Sequence, residues 1–141
     1  MYNAKFDVEV NITTPLYHLT PDISYRKIKL FGLTSKTKEK LATHPERIYL
    51  LNPTDEYEEI ALELYDKEIK KIKDLIEHYY LLKIDTSLLN NKFQFYNDPR
   101  FSMGNGGVWC FENIPSKCIS VVKKILVNPS YIPPTDFIIP K

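Results

Sequence analysis

Only one stretch of this sequence, Thr54 to His78, keeps apolar residues at helical spacing over several turns. Ile60, Leu64, Ile69, Ile72, Leu75 and Ile76 fall on one face there, with a kink or break expected near Asp66. Everywhere else the apolar runs are short and are broken by proline, glycine or asparagine. Ten prolines against four glycines in 141 residues limit where the chain can turn and which segments can lie inside a sheet. Short apolar runs around a single long helical pattern cannot build a helix bundle. They do not alternate with helices as a parallel α/β sheet requires either, so the expected class is α+β.

Phe6, Val8, Val10 and Ile12 alternate with polar residues and predict a half-buried strand. Leu16-Tyr17-His18-Leu19-Thr20 predicts a second, ending at Pro21. Asp22 or Ser24 is placed to cap a short helix over Tyr25 to Leu30, with Gly32 just past its end. Ser35 to Pro45 reads as a loop. Arg47 to Leu51 predicts a strand stopped by Asn52-Pro53, after which Thr54 is placed to cap the long helix. Tyr79 to Asp85 predicts a central strand, Phe93 to Tyr96 a short extended piece, and Val108 to Phe111 a strand. Asn97 to Gly107 reads as a loop holding three of the four glycines. Ile119 to Val127 predicts a final strand or short helix. The expected organisation is one domain over 1–127 and a proline-rich extended segment over 128–141.

Nineteen basic residues oppose eighteen acidic ones, for a net charge of +1. That excludes a generic polybasic nucleic-acid coat and an acidic tail. Charge is nonetheless segregated, at +3 over 1–52, −5 over 53–78 and +3 over 79–141. Arg26 to Lys40 holds six positive charges against one Glu, a stretch that suits a phosphate-bearing ligand. Only three of the basic residues are arginines, Arg26, Arg47 and Arg100, which limits bidentate phosphate recognition. Cys110 and Cys118 are too few for a disulfide framework and form no CxxC pair. The first residues do not read as a signal peptide, and no apolar run approaches the ~20 residues of a membrane span. The expectation is a soluble intracellular protein with reduced cysteines.

Sequence signatures for phosphate loops, dinucleotide folds, zinc proteases and serine hydrolases are missing. His18, His44 and His78 do not pair with cysteine or with one another at metal-ligand spacing, so no metal is expected. What remains is an ordered set of segments. It runs from Leu16–Thr20 through Ile28–Leu33, His44–Leu50 and Leu82–Asp85 to Gly106–Pro115.

This order resembles the ADP-ribosyltransferase superfamily over about residues 14–127. It is most similar to small bacterial and phage-encoded members and to the tRNA 2′-phosphotransferase branch. The resemblance implies split β-sheets facing each other around an NAD-type cleft, with one long helix and one short helix. NAD would be the substrate, and a protein or nucleic acid the acceptor. It also implies a cytoplasmic location, in the host cytoplasm or in a virion if the chain is phage-encoded.

The family's His-x-Thr strand falls on His18, Leu19 and Thr20, with Leu19 where Gly is frequent. His18 would hold the adenosine-side ribose, and the backbone of Leu19 the nicotinamide amide. Tyr49 would stack on the nicotinamide ring, as a planar cation favours a π-face. The Arg26–Lys40 stretch would meet the pyrophosphate. The third motif of transferring members places a Glu at the start of the strand read as Val108–Phe111. This sequence has Asn105, Gly106 and Gly107 there, and Glu112 at the far end. Asn105 and Glu112 are therefore the candidates for contact with the reacting sugar.

Two alternatives go with that departure. One is a catalytically inactive member, an interaction or virion structural protein of a phage that binds a protein partner through the C-terminal segment. The other is an RNA 2′-phosphotransferase, suggested by Asn105-Gly106-Gly107-Val108-Trp109 followed by Ile114-Pro115. None of the readings calls for a membrane.

Overall fold

A computed structural model of the chain describes residues 8–34, 47–90 and 93–133. Seven antiparallel strands form one sheet: β1 (Glu9–Val10), β2 (Leu16–Pro21), β3 (Ile48–Leu51), β4 (His78–Ile84), β5 (Phe95–Asp98), β6 (Gly107–Cys110) and β7 (Ile119–Leu126). Their spatial order is β1-β5-β6-β3-β2-β4-β7. Three helices accompany them: α1 (Asp22–Phe31), α2 (Tyr57–Asp66) and α3 (Lys70–Lys73). The fold is mixed α+β, as the apolar patterning predicts.

Two separate sheets were expected, and the chain instead forms one continuous hydrogen-bonded sheet. Its continuity is uneven. β2 pairs with β4 along six residues, yet it meets β3 at a single position, Tyr17 opposite Leu51. Two well-paired halves, β1-β5-β6-β3 and β2-β4-β7, are therefore joined at one point and part beyond it.

Side-chain alternation along the strands divides the core between the two sheet faces. On one face Leu16, Ile48, Leu50, Leu82, Ile84, Val108 and Cys110 are buried beneath Tyr25 and Ile28 of α1. On the other, Leu19, Tyr79, Leu81 and Ile125 are buried beneath Tyr57, Ile60 and Ala61 of α2 and Ile76 after α3. Each fully buried aliphatic side chain contributes roughly 1.5–3 kcal/mol. Together they offset the ordering of the short connections.

The expected long helix is two helices. Ile69, between them, is extended (φ −70°, ψ 151°) and 65% exposed, so it does not belong to the apolar face. The pattern explains the break. A straight helix carrying the Ile60–Leu64 stripe onward would turn the charged Glu68 toward the core. Leaving helical geometry at Ile69 lets Ile72 and Ile76 return to it. Leu75 is exposed as well.

Both expected N-caps are used differently. Thr54 Oγ1 accepts from the Glu56 N–H at 3.2 Å, which closes a turn before α2 begins at Tyr57. Asp22 is itself the first residue of α1, and its carboxylate reaches across to β4. Gly32 ends α1 as expected, with φ +76° and ψ −171°, a region essentially closed to other residues. Leu33 and Ile114 exchange backbone hydrogen bonds of 3.0 and 2.9 Å beside it, and a Cβ on Gly32 would run into the Ile114 carbonyl.

The strand expected over Phe6–Ile12 reduces to Glu9–Val10 among the described residues, and Phe6 lies outside them. Ile119–Leu126 resolves as a strand and forms one sheet edge. Its Val121 and Val122 are exposed, and the following Lys123 and Lys124 put charge on that edge, which discourages pairing with other chains. No helix among the described residues is long and apolar enough to cross a membrane. Of the proline-rich segment only 128–133 is described. It starts with a turn in which Asn128 accepts from the Ser130 N–H through its side chain and from the Tyr131 N–H through its carbonyl. The apolar Phe137, Ile138 and Ile139 expected to meet a partner lie outside the described residues.

Candidate functional site

Where β2 and β3 part, the Tyr49 carbonyl no longer meets a β2 backbone group. His18 takes over: its Nδ1 lies 2.9 Å from the Tyr49 oxygen. A carbonyl only accepts, so Nδ1 carries the proton and Nε2 is left as an acceptor. Burial lowers the His18 pKa below 6.5, outweighing the Tyr49 hydrogen bond that raises it. The imidazole is accordingly neutral at pH 7, in the form that accepts a hydroxyl hydrogen.

The parting strands leave a cavity of about 600 Å³, within the usual range for small-molecule sites. His18 and Leu19 line it from β2, and Tyr49 and Leu51 from β3. Ile60, Leu64 and Lys67 line it from α2 and its C-terminal end. Its floor is apolar, and Tyr49 is 41% exposed with its ring available to a ligand. Three of the four residues expected to bind cofactor thus share one cavity. Thr20, the fourth, is buried opposite Tyr80 of β4, with its hydroxyl 3.5 Å from the Pro21 carbonyl, and does not line it.

The two residues expected at the reacting sugar lie elsewhere. Asn105 sits in the turn before β6, where its Nδ2 donates to the Pro53 carbonyl at 2.7 Å. Asn52 Nδ2 returns a bond to the Asn105 carbonyl at 2.9 Å. This reciprocal clamp ties the exit of β3 to the entry of β6. Glu112 is exposed beyond the far end of β6 and does not line the cavity.

Among the described residues the carboxylate that lines the cavity is Asp98, which the sequence reading puts in a loop. Asp98 is instead the last residue of β5, directly opposite Gly107 of β6, and Gly107 is opposite Leu51 of β3. Paired residues in an antiparallel sheet share a face, so Asp98 projects on the α2 side, as Leu51 does. Gly107 adds no side chain between them, and a Cβ there would stand 2.7 Å from the Leu50 carbonyl. Pro99 ends the strand. The turn that follows returns the Arg100 N–H to Asp98 Oδ1 at 3.1 Å, which orients the carboxylate.

Basic side chains also reach the cavity, though not the expected ones. Arg26, Lys27 and Lys29 belong to α1, which covers the opposite sheet face, and Lys36 to Lys40 lie outside the described residues. Arg47, Lys67 and Arg100 line the cavity instead. The Arg47 guanidinium stands 4.1 Å over the Trp109 ring, which holds its stem against the wall. Among the described residues that line the cavity, three basic side chains stand beside the one carboxylate of Asp98, a lining that suits an anionic ligand.

Cys110 and Cys118 are buried on the α1 face and play no part in the cavity. Burial, with Glu112 nearby, pushes the Cys110 thiol up to about 12, and burial raises Cys118 as well. Thiolate is the reactive form. Both thiols are therefore expected to resist a disulfide-exchange reagent in the native protein at neutral pH and to react at once in denaturant. Rapid native labelling would contradict the burial.

No protein-family model matches the chain, and no curated protein matches its sequence.

Proposed function

We propose that the chain binds NAD in the cavity between β2 and β3 and moves ADP-ribose to a macromolecular acceptor, protein or nucleic acid. The convergence of His18, Leu19 and Tyr49 on one cavity, with Asp98 beside them, carries this reading. Tyr49 and Asp98 come from strands far from β2 in sequence, and the family resemblance selects His18, Leu19 and Tyr49.

In this reading His18 Nε2 accepts a ribose hydroxyl. The backbone of β2 beyond Tyr17, no longer taken up by β3, pairs with the nicotinamide amide, and Tyr49 stacks on the ring. Arg47 and Arg100 neutralise the diphosphate. The bond from ribose C1′ to the nicotinamide nitrogen breaks, and nicotinamide leaves with the electron pair. Asp98 stabilises the positive charge that develops on the sugar. The acceptor forms the new bond to C1′ and releases its proton to solvent. Asp98 takes the part of the missing third-motif Glu, from the neighbouring strand.

The test is a two-dimensional NMR titration with NAD. Saturable shifts around β2 and β3 that vanish in His18→Ala support the reading. Since His18 stays neutral below its ordinary value of 6.5, affinity is expected to be flat from mildly alkaline pH down to 6.5. No shifts in a folded sample, or equal affinity in His18→Ala, would sink NAD binding and leave the inactive interaction protein as the reading. Two arginines at the cavity also favour a phosphate-bearing second substrate. Nicotinamide release that depends on a 2′-phosphorylated oligonucleotide would select the 2′-phosphotransferase alternative.

A further inference from the structure

We propose that Asp22, Glu77 and His78 form a site for a divalent transition-metal ion of the zinc type, separate from the NAD cavity. The pairing of β2 with β4 sets Pro21 opposite Tyr79, so the first residue of α1 meets the two residues around the start of β4. Sequence spacing hides this, because Asp22 and His78 are 56 positions apart.

The spacing of the donor atoms carries the proposal. His78 Nδ1 lies 3.4 Å from Asp22 Oδ2 and 3.5 Å from Glu77 Oε1. A charged N–H···O hydrogen bond is about 2.7–2.9 Å, so neither contact is a formed ion-pair hydrogen bond. Zinc bonds of about 2.0–2.1 Å in a tetrahedron set neighbouring ligand atoms about 3.3–3.4 Å apart, close to the separation of His78 Nδ1 from each of the two carboxylates. Each of the three residues offers one donor, and all three donors lie within 4.8 Å of one another.

Asp22 Oδ1 is buried and has no hydrogen-bond partner among the described residues, which is rare for a buried polar atom and leaves it open to an ion. Asp22 Oδ1 offers a second oxygen on the same carboxylate. The cluster is also held in place. Asp22 Oδ2 accepts from the Glu77 and His78 N–H groups at 3.2 and 3.3 Å, and the His78 ring packs edge-on against Tyr80 at 4.9 Å. Orientation by outer bonds of this kind is what metal-binding carboxylates receive.

The His78 and Asp22 side chains are 15% and 19% exposed, while Glu77 is 48% exposed and opens the site to solvent. Two carboxylates and a neutral imidazole carry a charge of −2, which a divalent ion neutralises. One imidazole nitrogen among the donors favours zinc over calcium or magnesium, which prefer oxygen alone. Water completes the fourth position. The ion would pin the start of α1 to the start of β4.

The experiment titrates the full chain with Co²⁺ alone and reads the visible absorption of tetrahedral cobalt, then displaces it with Zn²⁺. One saturable equivalent with a tetrahedral band, bleached by Zn²⁺, is expected. His78→Ala and Glu77→Gln should each weaken it by at least the roughly 10–100-fold typical of losing an orienting residue. Absence of the band, or the same affinity in both variants, overturns the site. Should His78→Ala fail to fold, Glu77→Gln at its half-exposed position decides alone. NAD takes no part in this readout, so its outcome is independent of the proposed activity.

Discussion

Replacing Asp98 with asparagine is expected to slow nicotinamide release from NAD by about 100- to 1,000-fold, the range for removing one group that stabilises transition-state charge. Affinity for NAD should stay within about threefold, because the lost interaction belongs to the charge that develops as the glycosidic bond breaks. Asparagine keeps the size of the side chain and the acceptor for the Arg100 N–H, so the turn after β5 survives. The comparison variants are Asn105→Ala and Glu112→Gln. Asn105→Ala breaks the clamp to Pro53 and should cost stability more than turnover. Glu112→Gln, exposed and away from the cavity, should change neither. If Glu112→Gln abolishes release and Asp98→Asn does not, the carboxylate role passes to Glu112, as the sequence alone had suggested.

Asp98 shows where the sequence stops being legible. His18, Leu19 and Tyr49 lie in short apolar runs whose strand character is local, so their elements could be read directly. Asn97-Asp98-Pro99-Arg100 has turn chemistry, and Pro99 does make a turn. Whether the residue before that proline belongs to the strand depends on its pairing with Gly107, which no local pattern records. The same holds for the cluster of Asp22, Glu77 and His78, produced by the register of β2 on β4. The sheet's division at Tyr17 and Leu51 is likewise a property of two strands together. The helix break differs, since Glu68 at a would-be core position is visible in the sequence, and a break near Asp66 was expected for that region. Thr54 and Asp22 do not cap helices as the sequence predicts: Thr54 binds the Glu56 N–H before α2 begins, and Asp22 binds the N–H groups at the start of β4.

Trp109→Ala is expected to be the most destabilising single substitution in the β1-β5-β6-β3 half, at about 3–5 kcal/mol. That is a large share of the roughly 5–15 kcal/mol that holds a domain of ordinary stability. Trp109 is the chain's one tryptophan and is fully buried although it faces away from the α1 core. Its cover comes from the sheet itself. Tyr96 stacks on it at 4.4 Å, Phe111 meets it edge-on at 4.7 Å and Arg47 lies over its ring. Trp109 is not among the residues that pack with α2, so that helix does not supply its cover. Chemical denaturation followed by far-ultraviolet circular dichroism gives the cost, since tryptophan fluorescence disappears with the side chain. Phe111→Ala, at a 41%-exposed position on the same cluster, should cost much less. Equal losses would mean that the cluster acts as a surface patch and not as a small core. Should Trp109→Ala stay folded, its NAD affinity is also expected to fall, because Arg47 would lose the ring that positions it at the cavity. A stable variant with unchanged affinity would show that the guanidinium is placed by other contacts.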